Sequence, residues 1–90
     1  METIVTQMAS TRTGKAVANQ FIISTPEGIF FQSYNTIVAK KKDGKTYLDQ
    51  SSWNYSRTTM KYLNIFLETT TQDIISGIKT GRFILTDLNN

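Results

Sequence analysis

The chain has 90 residues, 39% of them hydrophobic, with ten Lys and Arg against seven Asp and Glu for a net charge of +3. That describes one small domain with a modest core, and the lack of Cys and His removes thiol nucleophiles, disulfides, imidazole bases and the usual structural zinc sites. Mild basicity permits contact with nucleic acid and argues against an acidic mimic of DNA.

Met1 to Lys15 is rich in Thr, Ser and Gln. Ile4, Val5 and Met8 suit a short strand, but Ala9 to Lys15 reads as a loop. Residues 1–15 are therefore expected to form a mobile or loosely attached arm on a single domain over residues 16–90. From Val17 the pattern becomes β. Asn19–Ser24 and Ile29–Tyr34 are aromatic and β-branched, and Thr25-Pro26-Glu27-Gly28 between them is a turn. A three-residue loop, Pro26 to Gly28, places Ile23 opposite Phe31, with Phe21, Thr25, Ile29 and Ser33 on the same face. Ile22, Phe30 and Tyr34 then point the other way and need the arm, a second subunit or a partner to cover them.

A second hairpin follows, with Thr36–Lys40 and Lys45–Asp49 flanking Asp43-Gly44. A two-residue loop pairs Lys42 with Lys45, a bulged loop shifts the register by one, and such a slip exchanges the two faces. The period then changes. Ser56 is a helix cap, and Thr59, Met60, Leu63, Phe66 and Leu67 recur at helical spacing. Leu63 and Leu67 are expected to be buried, and Arg57, Lys61, Asn64 and Glu68 form the polar stripe. Thr70 with Asp73 resembles a capping box, Ile74, Ile75 and Ile78 supply a short apolar face, and Gly81 ends the second helix. Arg82–Leu88 reads as a last strand. The fold class expected is α+β: a small antiparallel sheet of two hairpins plus a C-terminal strand, with two helices, near Ser56–Glu68 and Thr71–Thr80, on one face.

Catalytic chemistry finds little support. A nucleophile would have to be Ser, Thr, Lys or a carboxylate. Glu27 and Asp43 belong to turns and Asp73 to a helix start, and no spacing brings Asp49, Glu68 and Asp87 together. Gly77 and Gly81 lack the run a phosphate loop requires. The chain is expected not to be an enzyme and to need neither cofactor nor metal. No apolar run approaches the ~20 residues of a membrane span. Met1–Val5 does not read as a signal peptide, and secreted domains this small usually carry disulfides, so a cytosolic location without membrane contact is expected.

Binding finds more. Phe21, Phe31, Phe66 and Phe83 read as core. Trp53, Tyr55 and Tyr62 flank the first helix start, where they either brace the strand–helix corner or anchor a partner, and Phe30 and Tyr34 join them as candidate partner-binding residues. Lys40, Lys41, Lys42 and Lys45 cluster at the second hairpin tip. A solvated tip is the expectation there, and a basic hairpin holding phosphates is the alternative.

Asn19-Gln20-Phe21, Phe31–Ile37, Leu48-Asp49, Trp53–Ser56, Thr58-Thr59 with Lys61-Tyr62, and Ile84–Asn89 carry a resemblance over roughly Val17 to Asn89. The chain resembles small accessory proteins of unknown function encoded by tailed bacteriophages. Where those proteins carry further charges in the second helix, this chain has Ile74-Ile75-Ser76-Gly77. The resemblance implies action in the cytoplasm of a host bacterium. By analogy with phage proteins of this size, it implies a binding protein that inhibits or redirects a host protein or ribonucleoprotein complex, including antiviral defences such as CRISPR effectors. A homodimer is a further expectation, and a small nucleic-acid-binding module is the alternative function.

Overall fold

The computed structural model describes residues 3–10 and 12–89, and Met1, Glu2, Thr11 and Asn90 lie outside them. The chain runs β1 (Ile4–Ala9), β2 (Ala16–Thr25), β3 (Gly28–Ser33), β4 (Thr36–Lys42), β5 (Lys45–Asp49), α1 (Arg57–Leu67), α2 (Thr71–Thr80) and β6 (Phe83–Thr86). The six strands form one sheet in the order β1-β2-β3-β4-β5-β6. Neighbours are antiparallel except β5 and β6, which are parallel. The fold is α+β, with a mostly antiparallel mixed sheet. A parallel pair needs a long crossover, and the connection carrying both helices supplies it.

β1 lies in the stretch expected as an arm. It pairs along β2, Gln7 Nε2 donates to the Val17 carbonyl at 2.9 Å, and Met8 is buried in the core. The sheet therefore takes in residues on the arm side of the expected boundary.

The first hairpin is one residue tighter than its sequence suggests. Thr25 pairs with Gly28 across the two-residue loop Pro26-Glu27, so Ile22 faces Phe31 and Ile23 faces Phe30. A Cβ at Gly28 would lie 2.6 Å from the Lys41 carbonyl oxygen, so Gly28 is required by the close approach of β4. The one-residue change exchanges faces as expected of a strand. Phe21 leaves the core side and Ile22 joins it. The second hairpin pairs Lys42 with Lys45, with positive φ at both Asp43 (53°) and Gly44 (78°), the signature of a two-residue turn with matching twist.

Paired residues share a face, so the register writes out two rows that cross all six strands. Thr6, Ile22, Phe31, Ala39, Leu48 and Leu85 form the row under the helices. Val5, Ile23, Phe30, Lys40, Tyr47 and Ile84 form the row on the opposite face.

Ser56 caps α1 by accepting the Thr59 N–H at 3.1 Å, and Thr70 caps α2 by accepting that of Asp73 at 3.2 Å. α1 buries Thr59, Tyr62, Leu63 and Phe66. Leu63 is fully buried as expected, whereas Leu67 is half-buried at the margin. The Phe66 ring stacks on Phe31 with centroids 5.8 Å apart. α2 presses Gly77 onto the Phe83 ring so closely that a Cβ there would lie 2.5 Å from a ring carbon. Both helices thus sit on one face of the sheet. Gln20 is wholly buried on that side, and its amide oxygen and nitrogen have no hydrogen-bond partner.

Candidate binding site

Three separate stretches meet at the end of the sheet that carries the β3–β4 turn. They are Tyr34-Asn35, the segment from Asp49 through the start of α1, and the tail after β6. Together they line a cleft of about 960 Å³. Its floor is a chain of hydroxyls: Ser33 and Thr59 are bonded at 3.0 Å, and Ser56 Oγ donates to Thr59 Oγ1 at 3.1 Å. Tyr34 and Tyr55 stand on its rim, 54% and 80% exposed.

Asp49 holds the second and third of these stretches together. Its side chain is buried and accepts from Ser52 Oγ at 2.6 Å and from the Leu88 N–H at 3.0 Å. Burial pushes the carboxyl pKa up, but hydrogen bonds from Ser52, the Leu88 and Ser51 backbone and Asn89 outweigh it and hold the pKa below its ordinary value. The Asp49 carbonyl also accepts from the Ser52 and Trp53 N–H groups. Asn89 completes the tail's attachment, for its side-chain amide donates to the Ile37 carbonyl and accepts the Ile37 N–H, at 3.0 and 2.8 Å. A strand neighbour would make the same pair of bonds.

Tyr34 is held in an unusual conformation. Its φ is +57°, at the first of two residues between paired Ser33 and Thr36. That position favours Gly. The other described non-Gly residues at positive φ are Asn19 and Asp43, types that tolerate it, and Glu68 at the end of α1. Two hydrogen bonds fix the Tyr34 backbone: its N–H donates to the Asn19 carbonyl at 2.7 Å, and its carbonyl accepts from Gln32 Nε2 at 2.7 Å.

The other expected partner-binding residues lie elsewhere. Tyr62 is 4% exposed and belongs to the core, because it points down the same helical face as Leu63 and Phe66. Trp53 is half-buried and packs on the core, which suits bracing of the strand–helix corner. Phe30 is half-buried on the helix-free face of the sheet. The four lysines also divide. Lys41 Nζ donates to the Phe66 carbonyl at 2.8 Å and sits 4.5 Å over the Phe66 ring, closing the end of α1. Lys40, Lys42 and Lys45 share the opposite face, and Lys42 pairs with Glu27 at 3.2 Å.

A family model described as a family of unknown function, DUF8033, matches residues 3–82. The chain belongs to that family. The DUF8033 match begins before β1 and takes in both helices, so it covers Tyr34, Asp49 and Tyr55, while Asp87 and Asn89 fall beyond it. No curated protein and no solved structure matches the chain.

Asp49 and Asp87 both line the cleft, but Glu68 does not join them, and Asp49 is spent on structural hydrogen bonds. Among the described residues no three acidic side chains are grouped to hold a metal ion, and no helix is long and apolar enough to cross a membrane. Exposed Asn35 beside two exposed tyrosines is suited to gripping a polar peptide surface. Asn35 and Asn89 fall in the stretches that carry the resemblance but were not among the candidate site residues named from the sequence. The dipeptide Tyr34-Asn35 between two strand patterns was the one local signal for the turn. Asn89 had none, because its partner is 52 residues away.

Proposed function

We propose that this chain is a small binding protein that inhibits or redirects a protein or ribonucleoprotein complex by steric contact, and that it is not an enzyme. The resemblance to phage accessory proteins supports taking that complex to be one in the cytoplasm of a host bacterium. The observation that carries the reading is Tyr34. A bulky residue kept at positive φ costs stability, and such outliers cluster at functional sites. Here the two hydrogen bonds to its backbone hold Tyr34 in place on the rim of a cleft that Tyr55, 80% exposed, also lines. Tyr side chains supply large contact area at low entropic cost and are frequent anchors in interfaces, and a preformed anchor lowers the cost of binding.

The test is affinity capture from bacterial lysate treated with nuclease, using the wild type and the Tyr34→Ala/Tyr55→Ala double variant as bait. A protein retained by the wild type and lost from a variant that remains folded is the expected result. Equal retention by both would refute the assignment of the site.

A further inference from the structure

The helix-free face carries a second surface, which adjoins the cleft at Asp87. The Asp43-Gly44 turn lies at the opposite end of the strands from Tyr34. Phe30, Lys40 and Tyr47 stand side by side on β3, β4 and β5. Adjacent strands are about 4.8 Å apart, so the backbones of Phe30 and Tyr47 lie roughly 10 Å apart with Lys40 on the strand between them. Lys40 Nζ is 5.4 Å from the Phe30 ring centroid. Phe21 extends the aromatic surface on β2, and Lys42 and Lys45 extend the cationic one toward the turn. Phe21, Phe30 and Tyr47 are all half-buried, and both helices lie on the other side of the sheet.

This alternation selects the occupant. An apolar protein partner would have to desolvate Lys40 in the middle of its contact without offering it a counter-charge. A second copy docked face to face by a two-fold axis would bring like charges together. A single strand of nucleic acid presents planar bases and anionic phosphates in alternation, and base stacking on sheet aromatics beside Lys is a known physical mode of binding it. Lys42 also pairs with Glu27 at 3.2 Å at the end of this row. Asp43 and Asp87 lie beside Lys40, Lys42 and Lys45, so the surface is suited to a moderate, salt-sensitive grip.

We propose that the helix-free face binds single-stranded nucleic acid, with Phe30 and Tyr47 stacking bases and Lys40, Lys42 and Lys45 holding phosphates. It is a property of its own and does not rest on the cleft reading.

The test is fluorescence anisotropy with the full chain and labelled oligothymidine or oligouridine of about 12 nucleotides, within the usual footprint of such surfaces. A blunt duplex serves as competitor. Binding to either single strand, with the duplex competing poorly, is expected. The thymidine and uridine arms report which sugar is preferred. Affinity should fall with salt at a log–log slope near −2, about −0.7 per lysine. Phe30→Ala and Tyr47→Ala should each weaken binding about five- to hundredfold. Tyr47→Phe should retain it, a rescue that loss of folding would not produce. Lys40→Gln/Lys45→Gln should lower the slope to about −0.7 without altering the melting transition. No binding at low salt, equal affinity for the duplex, or full binding by both Ala variants would overturn the proposal. So would loss of a protein partner in the Phe30→Ala variant with no oligonucleotide affinity in the wild type.

Discussion

Replacing Tyr34 with Gly, Asn or Ala separates backbone strain from the loss of the ring. All three variants delete the ring, so they share whatever burial it contributes, and Tyr34 is 54% exposed. They differ in how they tolerate φ = +57°. An L-residue in the left-handed region costs about 1–2 kcal/mol, which Gly escapes. Gly in turn gives up about 0.4–1 kcal/mol relative to Ala through the greater freedom of the unfolded chain. The balance favours Gly over Ala by about 0.5–1 kcal/mol, the reverse of the order at an ordinary exposed position, with Asn between them. For a domain of this size that separates the midpoints by about 2–8 °C in a thermal melt followed by circular dichroism. Partner capture should behave differently, because it depends on the ring. The Gly variant should be as impaired as the Ala variant although more stable, and Tyr34→Phe should keep most of the binding. An Ala variant as stable as the Gly variant would refute the claim that Tyr34 is held under strain.

Three further outcomes follow from the packing. Leu63→Ala removes a fully buried side chain and should cost about 2–5 kcal/mol in a denaturant melt, against about 0.5 kcal/mol or less for exposed Arg57→Ala; equal losses would put the helix face in error. Asp49 has a folded pKa below its ordinary 3.8, so its contribution is present above that value and is lost as pH falls through the folded pKa. Asp49→Asn should lower stability at pH 7 by about 1.5–3 kcal/mol and remove part of the wild type's acid sensitivity below about pH 4, and an unchanged acid profile would contradict the staple role. Gln20→Met replaces a buried amide without partners by an apolar side chain of similar length, and should raise stability by about 1 kcal/mol or more; a loss on urea titration would mean that the amide is satisfied in solution.

Much of this fold could be read locally. The Asp43-Gly44 turn, the caps at Ser56 and Thr70 and the stop at Gly81 each depend on residues within one turn of chain, so both helices and the second hairpin were legible. Tyr34 and Tyr55 could be named as candidate anchors because surplus aromatics show in composition. The cleft they border could not, since Tyr34-Asn35, Asp49 to Thr59 and Asp87 to Asn89 meet only through long-range bonds such as Leu88 to Asp49 and Asn89 to Ile37.

The remaining features were decided by tertiary contact. Gly28 reads as a turn residue and has the positive φ of one, at 139°, but it also admits the approach of the Lys41 backbone. That approach goes with a two-residue first loop, which moved Phe21 to the helix-free face. Lys41 looked like the other tip lysines until α1 placed the Phe66 carbonyl and ring beside it. The direction of β6 depended on the path of the helical crossover. Propensity, capping and turn chemistry act over a few residues and are written in the chain. Register, the choice of face and strand direction depend on which distant surfaces bury one another, and only the folded molecule brings those together.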